Sequence, residues 1–205
     1  MGIYYYIKQV SPKILEEVLK SETLLDLIIL AEPSMYEKSL KQGSHLPKEE
    51  NTILRDYYEE KRKARKILSE REEYVKTNVE VLDLRKDGWE INFLLTECID
   101  ENNVCLQQVI YGEHSVENSK NYGYGKPSYL LPEEVKIISS ILNSITEEEI
   151  RSKFDPNKFI EADVYDFTEL TVEERLQDYL DIFAAIKDYY TDCVFRGNAV
   201  ITYIR

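Results

Sequence analysis

Hydrophobic residues form two runs, near the start and the end of the chain, that predict β-strands. Residues 2–7 have the sequence GIYYYI, and residues 199–204 have the sequence AVITYI. β-Branched and aromatic residues are enriched in strands, so both runs are predicted as strands. The second run is apolar enough for burial on both faces, which predicts a position inside a sheet rather than at its edge.

Between these runs, apolar residues recur at helical spacing in several segments. Ser11 and Pro12 supply an N-cap and a proline at the first helical position, and Ser21 opens a second short helix. The longest helical pattern begins at the capping box of residues 171–174 and ends at Gly197. Two further helices are predicted, over residues 132–143 and 146–154.

The stretch from residue 31 to residue 75 divides into two parts. Residues 31–48 contain two prolines and a glycine, follow no periodicity and are predicted as a loop. Residues 49–75 are charged with a thin apolar edge, which predicts a weakly anchored helix. Its basic run at 61–66, KRKARK, has acidic flanks on both sides and indicates a solvated, salt-bridged face rather than a nucleic-acid stripe.

Two segments after residue 75 have strand character. Residues 79–93 have the sequence VEVLDLRKDGWEINF, in which Asp87 and Gly88 separate two apolar runs, as in a β-hairpin with a type I′ turn. Residues 104–111, VCLQQVIY, are predicted as a strand. This segment leads into residues 112–115, and the stretch from there to Tyr129 is predicted to be irregular.

These elements predict the α+β class: a single domain in which a mixed or antiparallel sheet, with N- and C-terminal strands, packs against several helices. At 205 residues the chain is long enough for one sizeable core. Because no internal repeat or low-complexity linker divides it, residues 1–205 are predicted to form one domain, with a charged helical insertion at about 49–75.

The charge balance narrows the classes of partner. The chain has 26 Lys and Arg against 39 Asp and Glu, a formal net charge of −13. Such a surface repels phosphate backbones and anionic lipids, so nucleic acid and membranes are not expected, and a basic protein partner is favoured. The 16 tyrosines suit an interaction surface as well as core edges.

Cysteine usage and targeting signals predict a cytoplasmic location. Cys98, Cys105 and Cys193 match no Cys-x-x-Cys spacing or disulfide framework, so they are interpreted as reduced thiols. Residues 1–10 lack the features of a signal peptide, and no apolar run is long enough to span a bilayer. The oligomeric state is left open.

Residues for catalysis or metal binding are sparse. The two histidines are His45 and His114, whereas hydrolytic or metal chemistry requires convergent His, Cys, Asp or Glu. The sequence contains no phosphate-binding, zinc-protease, serine-hydrolase or calcium-loop motif. No catalytic residue, metal ligand or cofactor is therefore assigned.

One stretch supplies a candidate surface for a ligand or partner. It begins with an adjacent carboxylate and imidazole, although neighbours on a strand point to opposite faces. It continues into YGYGKPSY, where rings and a cation precede a helix N-terminus. The glycines are interpreted as structural, because the G-x-G-x-x-G arrangement is missing. The candidate residues are Glu113, His114, Tyr122, Tyr124, Lys126 and Tyr129.

Several segments, in order, resemble the YfbM-like family of bacterial proteins, a domain of unknown function (DUF1877). The resemblance rests on the following segments: MGIY at 1–4, LDLRK at 82–86, INFLLT at 91–96, YGYGKPSYL at 122–130, PEEV at 132–135 and FD at 154–155. Members of the family resemble one another in a helix over the Leu-Leu-Thr segment. The resemblance therefore implies a helix where the local pattern predicts the second half of a hairpin, and the helix is preferred.

Two positions depart from the family's pattern. The family usually has Trp two residues after the Lys of the LDLRK motif, whereas this chain has Gly88 there and Trp89 one residue later. The family's Val-Tyr-Pro is Val-Tyr-Asp at residues 164–166 of this chain. Neither position can carry a role inherited from the family.

Three hypotheses for function follow. The leading one is a non-enzymatic acidic binding or interaction protein, with an immunity-type inhibitor of a bacterial toxin as its concrete form. The alternative is an enzyme or small-ligand-binding protein with a pocket near residues 112–129. A self-associating structural protein is the third, and it rests on the tyrosine content alone.

Overall fold

The computed structural model describes residues 3–31, 52–77, 81–100, 104–164 and 171–205. Most of the predicted loop, residues 32–48, lies outside these ranges, as do residues 165–166 of the departing motif. Within these ranges, no helix has both the length and the apolar character needed to cross a bilayer.

A five-stranded antiparallel sheet lies at the centre of the fold. Its strands are β1 (Tyr5–Val10), β2 (Leu82–Arg85), β3 (His114–Ser115), β4 (Ser128–Leu130) and β5 (Ala199–Ile204). Their order across the sheet is β2-β1-β5-β4-β3. The predicted terminal strands and their antiparallel sheet are therefore confirmed, and β5 lies inside the sheet as its apolar sequence predicts.

β1 and β5 pair along their whole lengths. Tyr5 lies opposite Ile204 and Val10 opposite Ala199. All six residues of β1 are buried, because strands flank it on both sides and side chains from helices cover both of its faces. Alternate residues serve the two faces: Tyr5 and Ile7 join one hydrophobic cluster, and Tyr6 and Val10 join the other.

The helices that precede β2 form the layer on the face of Tyr6. They are α1 (Pro12–Lys20), α2 (Glu22–Ala31), α3 (Thr52–Ser69) and α4 (Glu72–Thr77). Ser11 caps α1 as predicted, since its Oγ accepts a hydrogen bond from the Ile14 N–H at 3.2 Å. The charged helix predicted at 49–75 is thus two helices in the described part, and its status as an insertion stays a prediction.

The basic run on α3 is only partly solvated. Lys61 is fully buried, whereas the other basic residues of 61–66 are exposed. Lys61 lies on the same helix face as the buried Ala64 and Leu68, at spacings of three and seven residues, so the fold buries it with them.

The remaining helices cover the face of Tyr5 and Ile7. They are α5 (Gly88–Phe93), continued by a π-helical segment (Leu94–Ile99), α6 (Val104–Tyr111), α7 (Pro132–Ser144), α8 (Glu147–Lys153), α9 (Pro156–Glu161) and α10 (Val172–Arg196). α10 is the longest described helix and packs on α7. Two helical layers on one central sheet confirm the predicted α+β class.

The prediction of a strand over residues 104–111 is wrong, because these residues form α6. Its buried residues Leu106, Val109 and Ile110 follow the i, i+3, i+4 spacing of a helix face. The β-branched content of this short segment concealed that period. The short strand β4 begins within the stretch that was predicted to be irregular, and the short strand β3 lies immediately before that stretch.

The hairpin prediction holds only for its first strand. β2 ends at Arg85, and the chain then turns into α5 and the π-helical segment, as the family resemblance implies. Gly88 allows α5 to approach the Tyr5 side chain closely, and it does not form a hairpin turn. A Cβ atom at this position would lie 2.3 Å from the Tyr5 Cγ. A residue with any side chain at this position would have to displace that ring.

Candidate functional site

The glycine-rich loop between β3 and β4 is closed by its own side chains. Gly123 and Gly125 have φ angles of +112° and +123°, which disfavour other residues. The Asn121 Oδ1 accepts hydrogen bonds from both of their N–H groups, at 2.8 and 3.0 Å. The structural interpretation of these glycines fits this geometry.

Tyr122 ties the loop to α2. Its hydroxyl donates a hydrogen bond to the Asp26 carboxylate, whose other oxygen lies 2.7 Å from the Lys120 Nζ. Burial and this carboxylate raise the pKa of Tyr122 above its ordinary value. Tyr124, by contrast, is 51% exposed.

Glu113 and His114 point to different partners. The Glu113 carboxylate accepts a hydrogen bond from the Gln108 side chain. The His114 Nε2 lies 2.7 Å from the Glu134 Oε1, and its ring centroid is 5.1 Å from that of Tyr129. The carboxylate that meets the imidazole therefore comes from α7 and not from the adjacent residue.

Lys126 completes the predicted set, and its Nζ donates to the Glu117 carbonyl. His114 and Tyr129 are in ring contact, whereas Glu113, Tyr122 and Lys126 each bond to a residue outside the set. Each of these three side chains therefore has a different hydrogen-bond partner, and no partner is shared. Binding of a ligand or partner at this surface stays a prediction.

A cleft of about 570 Å³ lies elsewhere, between β2 and α10. Its aliphatic lining residues are Leu82, Leu84, Ile182 and Ala185, and its charged lining residues are Asp83, Asp87, Asp178, Asp181, Arg85 and Arg175. The volume falls in the range typical of small-molecule and cofactor pockets. The cleft therefore combines an aliphatic wall with six convergent charges.

Local structure explains how these residues reach one cleft. Residues 175, 178, 182 and 185 of α10 follow the i, i+3, i+7, i+10 spacing of one helix face. Arg85 ends β2 with a φ of 54°, in the left-handed region that is unfavourable for a side chain. The Asp83 Oδ1 accepts a hydrogen bond from the Arg85 N–H at 3.0 Å and closes this turn.

A buried group of ionisable side chains extends from the cleft into the core. Glu90 is 4% exposed, and its Oε2 accepts a hydrogen bond from the Tyr179 hydroxyl at 2.6 Å. The Arg175 Nη1 lies 3.9 Å from the same oxygen and 3.6 Å from the Asp87 Oδ1. One buried guanidinium thus links Glu90 to Asp87, which lines the cleft.

Burial sets the ionisation of this group. It raises the pKa of Glu90 and the pKa of Asp87 above their ordinary values, although the nearby Arg175 acts in the opposite direction. Carboxyl groups with raised pKa beside a cleft are typical of functional sites. Such sites use burial and neighbouring charges to shift a pKa away from its value in water, where the carboxyl group would be ionised. Two carboxyl groups with raised pKa therefore lie together here, Asp87 in the lining of the cleft and Glu90 behind it.

Sequence reasoning missed this cleft. Asp87 and Glu90 lie where the local pattern predicts a hairpin and the family resemblance implies a helix, and neither prediction placed them beside α10. One signal was available: Arg175 precedes Tyr179 by four residues, on the face of the predicted helix that otherwise carries apolar residues. A charge in such a position is buried only when it has partners.

Metal binding receives no support from the described ranges, in which no group of three or more His, Cys, Asp or Glu side chains is arranged to hold a metal ion. The carboxylates of the cleft share it with Arg85 and Arg175. These two guanidinium groups neutralise part of the charge of its four aspartates.

Comparison with known proteins gives a family and a fold. Residues 1–203 match the family described as a domain of unknown function, DUF1877. No curated protein matches the chain. The crystal structure of the protein of unknown function YfbM from Escherichia coli is similar, with 17% sequence identity, a TM-score of 0.58 and coverage of 98% of this chain and 99% of that one. The resemblance noted in the sequence is thus confirmed, and the chain belongs to the DUF1877 family of YfbM-like proteins.

Proposed function

We propose that this protein is a non-enzymatic binding protein that engages a basic protein partner through the cleft between β2 and α10. The supporting observation is the charge of the cleft, where Asp83, Asp87, Asp178 and Asp181 outnumber Arg85 and Arg175. The net charge of −13 adds a long-range attraction for basic molecules. Complementary charge of this kind raises association rates and selects against acidic competitors.

An immunity-type inhibitor of a bacterial toxin is the concrete form of this proposal. Such a protein needs an acidic surface and a rigid fold. It does not need a reaction centre, and it would act in the cytoplasm. Co-expression with a basic toxin encoded next to its gene is the direct test. Restored growth supports the toxin-inhibitor form, and unchanged toxicity of every such neighbour contradicts it.

Binding of a basic chain at the cleft is tested by titration with deca-arginine. We expect the double variant Asp178→Asn/Asp181→Asn to bind about tenfold more weakly than the wild type, because each exposed ion pair contributes about 0.7 kcal/mol. The affinity should also fall as salt is added.

The matched control is Glu59→Gln/Glu60→Gln. It changes the net charge by the same amount, at exposed positions on α3, which belongs to the other helical layer. We expect this variant to bind nearly as well as the wild type. Equal losses in the two double variants would show unspecific attraction and remove the cleft from the proposal.

A second candidate function is an enzyme or small-ligand-binding protein with a pocket near residues 112–129. It is supported by one observation, the 2.7 Å contact between the His114 Nε2 and the Glu134 Oε1. A fragment screen that follows the His114 ring protons by NMR tests it. Fragments that shift these signals in the wild type but not in Tyr129→Ala favour a ligand site there.

A further inference from the structure

The wall of the cleft has a second carboxyl group behind it. Glu90 does not line the cleft, but Arg175 connects it to Asp87, which does. Six charged or titratable groups meet here: Arg85 from the end of β2, Asp87 and Glu90 at α5, and Arg175, Asp178 and Tyr179 from α10. Any change of charge in the cleft therefore acts on a buried carboxyl group.

The charges of this group do not balance when every carboxyl is ionised. The Arg175 Nη1 then faces three carboxylates, those of Asp87, Glu90 and Asp178, at 3.6, 3.9 and 3.9 Å. A buried carboxylate without a compensating charge is unfavourable. Because Arg85 already acts on Asp87, the two arginines and three carboxylates leave one negative charge in excess, which a bound proton or a further cation can neutralise.

Burial of the two carboxyl groups favours the proton. Burial raises the pKa of both Asp87 and Glu90, so the pair retains protons to a higher pH than exposed carboxyl groups do. A cation that enters the cleft favours the ionised forms and lowers these pKa values. Binding of a cation and release of a proton are then linked.

The shape of the cleft favours arginine among basic side chains. Leu82, Ile182 and Ala185 offer an aliphatic wall for the methylene groups of a long side chain. A guanidinium is planar, donates two parallel hydrogen bonds to a carboxylate and is less strongly hydrated than an ammonium. It is therefore the cation best suited to a half-enclosed site with carboxylates.

We infer that the cleft takes one arginine side chain of a basic protein partner, and that this guanidinium displaces a proton held by the Asp87 and Glu90 pair. The inference rests on the proposed function and adds the identity of the bound group and its pH dependence. The displaced proton passes to solvent, and no covalent bond changes. Binding is thereby weakest in acid and strengthens as the pair ionises.

Blocked tripeptides test this inference, with Gly-Arg-Gly as the probe and Gly-citrulline-Gly as its uncharged isostere. Both are titrated by NMR across the pH range from 4 to 8. We expect the arginine peptide to bind at least about tenfold more tightly near neutral pH, where one favourable charge interaction is worth about 1.4 kcal/mol. Its affinity should rise by up to about tenfold per pH unit while one linked proton is released.

Two variants identify the linked proton. Glu90→Gln cannot release a proton, so the rise in affinity with pH should become shallower. Tyr179→Phe removes the hydrogen bond that lowers the pKa of Glu90, so the rise should move to higher pH. Glu60→Gln is the charge-matched control and should leave the pH profile unchanged.

The outcomes separate the two proposals. Equal affinity for the arginine and citrulline peptides overturns the inference, and so does a pH profile that is the same in the wild type, Glu90→Gln and Tyr179→Phe. Neither result affects the deca-arginine experiment, which tests the proposed function at one pH with other variants. A steep wild-type profile that flattens in Glu90→Gln supports the inference.

Discussion

Gly88 is the residue at which α5 meets β1, and it has no room for a side chain. We expect Gly88→Ala to lower the free energy of unfolding by about 1–3 kcal/mol, the usual effect of overpacking. The reason is that the added Cβ would lie 2.3–2.6 Å from atoms of the Tyr5 side chain. Urea unfolding followed by circular dichroism measures the loss.

The same substitution in a Tyr5→Ala background is the control for Gly88→Ala. Alanine removes the Tyr5 Cγ and Cδ2, which would lie 2.3 and 2.6 Å from the added Cβ, so the two changes should together cost less than the sum of their separate effects. A Gly88→Ala protein as stable as the wild type would contradict the close contact, since alanine otherwise favours a helix.

Glu90 makes stability depend on pH in a direction opposite to that of most carboxylates. Burial raises its folded pKa above the ordinary value of 4.5. The stabilisation from holding this proton is complete below that value and is lost as pH rises through the folded pKa. We therefore expect the free energy of unfolding, wild type minus Glu90→Gln, to fall as pH rises from 4.5 towards neutrality. Urea midpoints measured across that range provide the difference.

Glu60→Gln is the control: the same difference taken against this variant should stay nearly constant, because the Glu60 side chain is exposed on α3. A difference for Glu90→Gln that rises with pH would show that Arg175 outweighs burial. The carboxylate would then be a stabilising partner in a buried ion pair.

Residue-level chemistry was predictable only where it is local. The positive φ angles of Gly123 and Gly125 were predicted correctly, because positive φ and turn formation are properties of a few adjacent residues. The pair of His114 with Glu134 and that of Glu90 with Tyr179 join residues 20 and 89 positions apart. No spacing rule on a single sequence connects such residues.

At the level of elements, helix ends were predicted best. Ser11, Thr146 and Thr171 each accept a hydrogen bond from a backbone N–H in the first turn of the following helix, as their positions predict. Helix caps can be predicted from sequence because the capping residue and the N–H group that it accepts from lie within four residues of each other. Predictions for short segments were the least successful. The eight residues at 104–111 have the composition of a strand and the apolar spacing of a helix, and they form a helix that buries its apolar face.

Thr171 caps the helix that forms one wall of the cleft. Its Oγ1 accepts a hydrogen bond from the Glu174 N–H at 3.2 Å, and the Glu174 Oε2 accepts one from the Thr171 N–H at 2.9 Å. We expect Thr171→Ala to lower the free energy of unfolding by about 0.5–2 kcal/mol, the typical cost of removing an N-cap. Thermal or urea unfolding measures this change.

Thr171→Ser keeps the hydroxyl and should unfold like the wild type. Because Arg175 lies in the adjacent turn, the alanine variant should also weaken deca-arginine binding slightly. A Thr171→Ala protein with unchanged stability would mean that solvent replaces the cap at no cost.

At the level of the whole molecule, the class of the fold followed from the sequence, but the arrangement of its layers did not. Strand propensity identified β1 and β5, and helical periodicity identified most of the helices. The assignment of helices to the two faces of the sheet depends on which residues of β1 face each side, and Tyr5 and Tyr6 are equally apolar. The family resemblance corrected the prediction of a hairpin. It could not reveal the cleft, because this chain departs from the family's pattern at Gly88, beside the cleft.

The position of β5 between β1 and β4 has a consequence for how the protein is made in the cell. Tyr5 must pair with Ile204, which lies 199 residues later in the sequence, so the middle of the sheet stays open until β5 has been synthesised. Until then β1 can pair only with β2, and the edge that later meets β5 is unpaired. We therefore expect the sheet to close late in folding, because pairing between residues this far apart in sequence is slow.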